Sequence, residues 1–107
     1  MVTIVSIIIR INMENEIVII TRHPGLVEVL HELAPETVGA PIIDRADPTQ
    51  IAGKHVYGVL PLTLACLATR VTNVTLNVPQ ELRGTELSAD QVRQYMTELE
   101  TFVVTKV

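Results

Sequence analysis

The sequence predicts an α/β fold, a three-layer sandwich around a mainly parallel sheet, formed by one domain over residues 1–107. Short β-branched runs alternate with segments whose apolar residues recur at helical spacing. A chain of 107 residues can bury one core, and it contains no repeat or low-complexity linker. Strands separated by helices pair in parallel, so their carboxyl ends, where ligands bind in such sheets, meet at one edge.

The first half of the chain predicts two strands and a helix. Residues 16–21 form an uninterrupted apolar run, which is typical of a buried interior strand. Helical spacing then predicts a helix that ends at Pro35. Its buried stripe is Leu26, Val29, Leu30 and Leu33, and its solvent face is Glu28, His31 and Glu32. Residues 42–43 form a second strand that reaches Asp44, and residues 45–53 form a polar turn.

The second half predicts three more strands and two helices. Residues 55–60 and 74–78 form the third and fourth strands, and Pro61 opens a helix to about residue 70. The inward residues of that helix are Leu64, Leu67 and Ala68. Ser88 caps the third helix through a capping box with Gln91. The inner stripe of this helix is Val92, Tyr95, Met96 and Leu99, and residues 102–107 form the last strand.

The composition narrows the classes of ligand. A net charge of −4 argues against a surface that wraps a long nucleic acid, although a few local donors can bind a compact anion. The scarcity of aromatic residues disfavours a stacking platform for single strands. The one cysteine, Cys66, excludes an internal disulfide and a cysteine zinc site, and its apolar neighbours predict burial. Histidines and carboxylates lack metal-ligand spacing on any single element, so we expect neither metal nor cofactor.

The N-terminal segment MVTIVSIIIRI is apolar but too short to span a bilayer, and it lacks the features of a signal peptide. We therefore expect a cytoplasmic protein without a membrane partner. The β-branched content of residues 1–12 predicts an extra strand of the sheet. Met13 could equally be the natural start, in which case residues 1–12 are an upstream extension.

The segment Thr21-Arg22-His23-Pro24-Gly25 lies where the first strand meets the first helix. A helix N-terminus offers free N–H groups and a partial positive charge to an anion. Arg22 adds a fork that suits a phosphate, and His23 can move a proton near neutral pH. The alternative is a capped turn with an exposed Arg and His, since the segment is neither a Walker loop nor a GxGxxG motif.

Two other places at the same edge carry polar residues. Residues 77–87 form a loop that is longer than its connecting role requires. Its charged residues and glycine are Glu81, Arg83, Gly84 and Glu86. The alternative is a solvated loop whose arginine pairs with its own glutamates. Asp44 ends a strand and could bind a ribose hydroxyl or cap a turn.

Three segments, VIITRHPGLVEVL, YGVLPLTLA and LNVPQELRGTELS, resemble the Csx-sixteen family of small CRISPR-associated proteins found beside type III systems. The resemblance covers roughly residues 16–104, in the same order and spacing. TRHPG is the first matching block, the LP after the third strand is the second, and P-x-E-L-R-G-x-E-L-S is the third. Residues 1–12 have no counterpart in this pattern.

The resemblance implies a Rossmann-like domain akin to the CARF-like sensors of cyclic oligoadenylates, working as a homodimer. It implies an extrinsic ring nuclease that cleaves cyclic oligoadenylate, with cyclic tetra-adenylate expected, and switches type III signalling off. Attack by a ribose 2′-hydroxyl, giving 2′,3′-cyclic phosphate ends, needs no metal, and Arg22 and His23 suit catalysis. Expected ring-binding residues are Thr21, Gly25, Asp44, Leu60, Pro61, Asn77, Glu81, Arg83, Gly84 and Glu86.

Two alternative functions stand beside the ring nuclease. A sensor or sponge would sequester the ring without cutting it, in the same pocket. A structural partner of the CRISPR complex is favoured only if this edge of the sheet carries no anion site. His23 beside Arg22 favours catalysis, because binding alone does not require a titrating group.

Overall fold

The computed structural model describes residues 16–107. The strand or extension predicted for residues 1–12 therefore lies outside the described residues. The middle layer is a five-stranded sheet of β1 (Ile17–Ile20), β2 (Ile42–Ile43), β3 (His55–Gly58), β4 (Arg70–Leu76) and β5 (Met96–Phe102). The strands lie in the order β2-β1-β3-β4-β5. The first four are parallel, and β5 is antiparallel to β4. The mainly parallel α/β fold is thus confirmed, with β1 in the interior.

Helices cover both faces of this sheet. Within residues 16–107 they are α1 (Pro24–Leu33), α2 (Pro48–Ile51), α3 (Leu62–Ala65) and α4 (Ala89–Tyr95). Short 3-10 turns span Pro35–Thr37 and Gln80–Leu82. The helices α1 and α4 pack against each other on one face. The shorter α2 and α3 contribute to the core on the other face.

The residues of β1 contribute to both cores. Ile17 and Ile19 pack with the buried residues of α1 and α4, whereas Val18 and Ile20 pack with those of α2 and α3. All four side chains are at least nine-tenths buried. This two-sided burial explains why the sequence of β1 does not alternate between apolar and polar residues.

Two predictions for the C-terminal region are wrong. The predicted helix through Leu99 is wrong, because α4 ends at Tyr95 and β5 begins at Met96. The predicted strand over residues 102–107 is also wrong, because β5 ends at Phe102. A bulge explains the error: Leu76 pairs with Met96 and Thr75 with Glu98, which leaves Thr97 as the extra residue. Met96 and Leu99 consequently pack on the same core, at a spacing that also fits a helix.

Other boundaries differ from the predictions because β3 and α3 end earlier than expected, which also lets β4 begin earlier. Strand β3 ends at Gly58 rather than at residue 60, and β4 starts at Arg70 rather than at residue 74. Helix α3 ends at Ala65, which leaves Leu67 43% exposed instead of buried. Cys66 beside it is half-buried, so its predicted burial is only partial.

The structure around α1 and α2 also differs from the predictions. Leu33, predicted to be in the buried stripe, is 58% exposed at the end of α1, and His31 is half-buried instead of solvent-facing. The predicted turn of residues 45–53 contains α2, which buries Ile51 completely. Asp47 caps this helix, since its Oδ1 accepts from the backbone N–H of Thr49 at 2.9 Å. The predicted capping box of Ser88 and Gln91 is confirmed.

Candidate functional site

The strand order creates a crevice above β1 and β3. The chain leaves β1 for β2 on one side, and it leaves β3 for β4 on the opposite side. At such a switch point the loops diverge, and ligands of open α/β sheets bind outside the carboxyl ends of the strands. A cleft of about 300 Å³ lies there. Its polar side chains come from the loop after β1 and from Asp44, which directly follows β2.

The loop after β1 is held in place by short hydrogen bonds. The backbone N–H of Thr21 donates to the carbonyl of Ile43 at 3.0 Å, which continues the pairing of β1 with β2. The Thr21 hydroxyl oxygen accepts from the backbone N–H of His23, also at 3.0 Å. These bonds position the side chains of Arg22 and His23 at the entrance of α1.

Arg22 presents an exposed guanidinium to the cleft. Its Nε donates to the backbone carbonyl of Asp44 at 3.5 Å. Among residues 16–107 its guanidinium pairs with no carboxylate within 4 Å. The terminal nitrogens are therefore available as a fork for an anion.

His23 connects the cleft to the second loop. Its Nδ1 accepts a hydrogen bond from the backbone N–H of Leu87 at 3.1 Å. A ring nitrogen that accepts carries no proton, so the neutral imidazole has its proton on Nε2. This Nε2–H makes no hydrogen bond within the described residues and can donate to a ligand in the cleft.

The N-terminus of α1 lies directly after His23, beside the cleft. Pro24 at its first position has no N–H, and the N–H of Leu26 already donates to the carbonyl of His23 at 2.9 Å. The first turn contains no acidic residue, so no carboxylate of α1 itself neutralises the positive end of the helix dipole.

Glycines allow two close backbone approaches around the cleft. A Cβ at Gly25 would lie 2.5 Å from the backbone nitrogen of Ala89, so α1 can meet the start of α4 only through a glycine here. Gly58 has φ +150°, and a Cβ there would lie 2.6 Å from the carbonyl oxygen of Ile20. Gly25 therefore allows α1 to pack against α4, and Gly58 allows β3 to approach the backbone of Ile20 in the lining of the cleft.

Most predicted residues of the loop 77–87 lie outside the cleft. Arg83 donates from Nε to the carbonyl of Val78 at 3.3 Å, and it forms no ion pair with Glu81 or Glu86. Those two glutamates and Gly84 are exposed. Asn77 is also exposed, and its backbone N–H donates to the carbonyl of Tyr95 at 2.8 Å. The loop reaches the cleft through the Leu87 N–H instead.

The LP pair after β3 also lies away from the cleft. Leu60 packs on the core of the opposite face, beside α3. Pro61 precedes α3, and its carbonyl accepts from the backbone N–H groups of Leu64 and Ala65. Val59, which the sequence analysis missed, lines the cleft and is 67% exposed. Its position directly after a strand is the signal that could have identified it.

A second cleft of about 570 Å³ adjoins the first, beside the edge strand β2. Thr21 and Asp44 line both clefts and therefore form the wall between them. Arg45 and Gln50 also line the second cleft. The sequence analysis missed these two, because it treated residues 45–53 as a plain turn.

The described residues form neither a metal-binding cluster nor a membrane-spanning helix. Residues 16–107 contain no group of three or more His, Cys, Asp or Glu side chains that could hold a metal ion. None of the helices in this range is both long and apolar enough to cross a membrane.

Residues 18–105 match the model of a protein family described as "Putative CRISPR-associated protein (Cas_VVA1548)". The match covers both loops of the cleft and all five strands except Ile17. No curated protein and no solved structure matches the chain.

Proposed function

Because the chain belongs to this family of CRISPR-associated proteins, we propose that it is an extrinsic ring nuclease of the Csx-sixteen type. It binds cyclic oligoadenylate, with cyclic tetra-adenylate the expected ring, and cleaves it to switch type III signalling off. The observation that carries this proposal is the convergence of two donors at the switch-point cleft, beside the positive end of the α1 dipole. The donors are the Arg22 fork and the Nε2–H of His23.

The proposed reaction uses the ring's own ribose as nucleophile. A 2′-hydroxyl oxygen attacks the neighbouring phosphorus, the new P–O2′ bond forms, and the P–O5′ bond breaks. The products carry a 2′,3′-cyclic phosphate and a 5′-hydroxyl, and solvent takes the 2′-hydroxyl proton and supplies one to O5′. Arg22 stabilises the negative charge that develops on the phosphate oxygens, and the loop holds the ring in line for attack.

The hydrogen bond from Leu87 supports a role for His23 as a hydrogen-bond donor. Since Nδ1 accepts and Nε2 carries the proton, the neutral ring has no free acceptor nitrogen for the 2′-hydroxyl proton. In this proposal the Nε2–H of His23 donates to a phosphate oxygen, beside Arg22. Neutral imidazoles serve as hydrogen-bond donors of this kind in other enzymes.

A sponge that binds the ring without cutting it is the second candidate. The same hydrogen bond favours it, because it leaves the cleft without a general base on His23. Both candidates place the protein in the cytoplasm, as a homodimer whose two clefts match the symmetry of the ring.

Incubation of the purified protein with cyclic tetra-adenylate, with and without a chelator, tests the proposal. Chromatography should resolve linear products ending in a 2′,3′-cyclic phosphate, in equal yield with the chelator. Tight binding with recovery of the intact ring would establish the sponge instead. Neither binding nor cleavage of cyclic tetra- or hexa-adenylate would reject both.

A further inference from the structure

We propose that the second cleft is an adenosine subsite, in which Asp44 binds the ribose and Gln50 reads the base. The inference rests on the proposed function, because it assigns the nucleoside next to the phosphate at Arg22. The cleft volume of about 570 Å³ falls within the range of about 300–1,000 Å³ that small-molecule sites occupy.

The carboxylate of Asp44 is free to accept hydrogen bonds from a ligand. Arg22 bonds to the backbone carbonyl of Asp44 and leaves the side chain without a partner among residues 16–107. Asp44 is exposed directly after β2, the strand beside β1. An acidic residue that follows the second strand of a nucleotide-binding sheet is well placed for ribose hydroxyls.

Gln50 lies on α2 and has a side-chain amide without a hydrogen bond in the described part of the chain. The Asp47 carboxylate accepts from the backbone N–H and the hydroxyl of Thr49, at 2.9 and 2.7 Å. This cap fixes the start of α2 and therefore the place of Gln50 on the rim. A glutamine amide matches the N6 donor and N7 acceptor of adenine.

Apolar residues provide a surface for the flat base. Ile42, which is 53% exposed, and the exposed Pro48 both line the cleft. Because the wall of Thr21 and Asp44 separates the two clefts, one nucleotide can place its phosphate at Arg22 and its nucleoside in the second cleft.

Binding of mononucleotides tests the subsite independently of ring cleavage. The probes are adenosine, inosine and 2′-deoxyadenosine 5′-monophosphates, titrated by calorimetry against wild type, Gln50→Ala and Asp44→Asn. Wild type should prefer adenosine over inosine monophosphate, and Gln50→Ala should reduce that preference about 5- to 100-fold. Asp44→Asn should reduce the preference for the ribo- over the deoxyribonucleotide, because a neutral amide oxygen is a weaker acceptor than a carboxylate.

Gln94→Ala is the matched control, because Gln94 is an exposed glutamine on α4, away from both clefts. It should retain both preferences. Adenosine selectivity that depends on Gln50 supports the subsite even if no ring is cleaved, in which case only the proposed function fails. If wild type cleaves the ring and Gln50→Ala keeps its KM and both nucleotide preferences, the subsite is wrong and the nuclease stands. Absence of adenosine-selective binding in the wild type also overturns the subsite.

Discussion

The two edges of the sheet at which the parallel strands begin and end carry similar polar residues, but these residues differ in their hydrogen bonding. At the edge where the parallel strands begin, the His55 Nε2 lies 2.6 Å from the Thr72 hydroxyl, which lies 2.8 Å from the Thr101 hydroxyl. At the edge where they end, one nitrogen of His23 is bonded and the other faces the cleft. Partnered polar groups hold the fold together, whereas polar groups without partners mark the place where a ligand can bind.

Tyr57, whose ring lies beside that of His55, also has a hydrogen-bond partner for its polar group. Tyr57 donates to the carboxylate of Glu36 at 2.6 Å. Burial and this bond raise the pKa of Tyr57 to about 12. The same hydrogen bond lowers the pKa of the Glu36 carboxyl. At the opposite edge, Asp44, Arg45 and Gln50 have no side-chain partners within residues 16–107. The comparison predicts that substitutions at the first edge alter stability and those at the second alter activity.

The largest expected effect is at Arg22. Arg22→Ala should lower the rate of ring cleavage about 100-fold or more, because it removes a donor to the charge that develops on the phosphate. Arg22→Lys should restore only part of the rate, since a lysine lacks the fork. Single-turnover kinetics with labelled cyclic tetra-adenylate would measure both.

Arg93→Ala is the control for loss of an arginine. Arg93 pairs with Glu32 and Asp90 on the surface of α1 and α4, outside the cleft. Its loss should change the cleavage rate by no more than about twofold, as for an ordinary surface substitution. Equal losses of rate in Arg22→Ala and Arg93→Ala would contradict the assignment of the site to the carboxyl edge.

Substitutions of His23 distinguish a hydrogen-bond donor from an acid–base catalyst at this position. His23→Ala should lower the cleavage rate about 100-fold, the cost of losing one donor. His23→Gln should retain at least about a tenth of the wild-type rate, because its amide N–H can replace the Nε2–H. A glutamine variant as slow as the alanine variant would instead favour proton transfer by His23. If His23→Ala cleaved the ring at the wild-type rate, Arg22 and positioning of the ring would remain as the basis of catalysis.

The sequence alone predicted the strand β1, the start of α1 near Gly25 and the grouping of loops at the carboxyl edge. These features depend on local patterns: an unbroken apolar run, helical spacing and a Pro–Gly entry. The end of α4 could not be predicted in this way. The bulge at Thr97 places Met96 and Leu99 on one face, and it arises from pairing with β4, which is distant in sequence.

The same distinction applies to the candidate site. Arg22 and His23 could be predicted from the sequence, because they directly follow an apolar strand. The pairing of His23 with Leu87 joins residues that are 64 positions apart, so no local pattern reveals it. Arg45 and Gln50 were missed because they become neighbours of Thr21 only when β2 pairs with β1. The loop residues Glu81 and Arg83 were expected at the cleft, yet they lie outside it.

Gly25 tests whether the cleft depends on the contact of α1 with α4. Gly25→Ala should lower the free energy of unfolding by about 1–3 kcal/mol, because its Cβ would meet backbone atoms of Ser88 and Ala89. Urea denaturation would measure this loss. Gly84→Ala is a useful comparison: its φ is +82°, with open space around it, so only its backbone conformation should cost energy. An unchanged midpoint for Gly25→Ala would show that the two helices can separate without cost.

His55 has the smallest expected effect, on the pH dependence of stability. Burial lowers the pKa of His55 below its ordinary value of 6.5, and the charge of Arg70 lowers it further, against the opposing effect of Glu36. The unfolded chain therefore binds the His55 proton at a higher pH than the folded chain does. Its contribution to stability is complete above about pH 6.5 and is lost as the pH falls below that value and through the lower pKa of the folded chain.

Urea denaturation between pH 7.5 and 5 would measure this decrease, with His55→Gln as the comparison, because glutamine can still bond to the Thr72 hydroxyl but does not titrate. We expect His55→Gln to be less stable than wild type at pH 7.5 and to lose less stability on acidification. His23→Gln is the matched control at the other edge: it should leave the contribution of His55 to the pH dependence in place. An identical pH dependence for wild type and His55→Gln would contradict the assignment of a buried, neutral histidine to this edge.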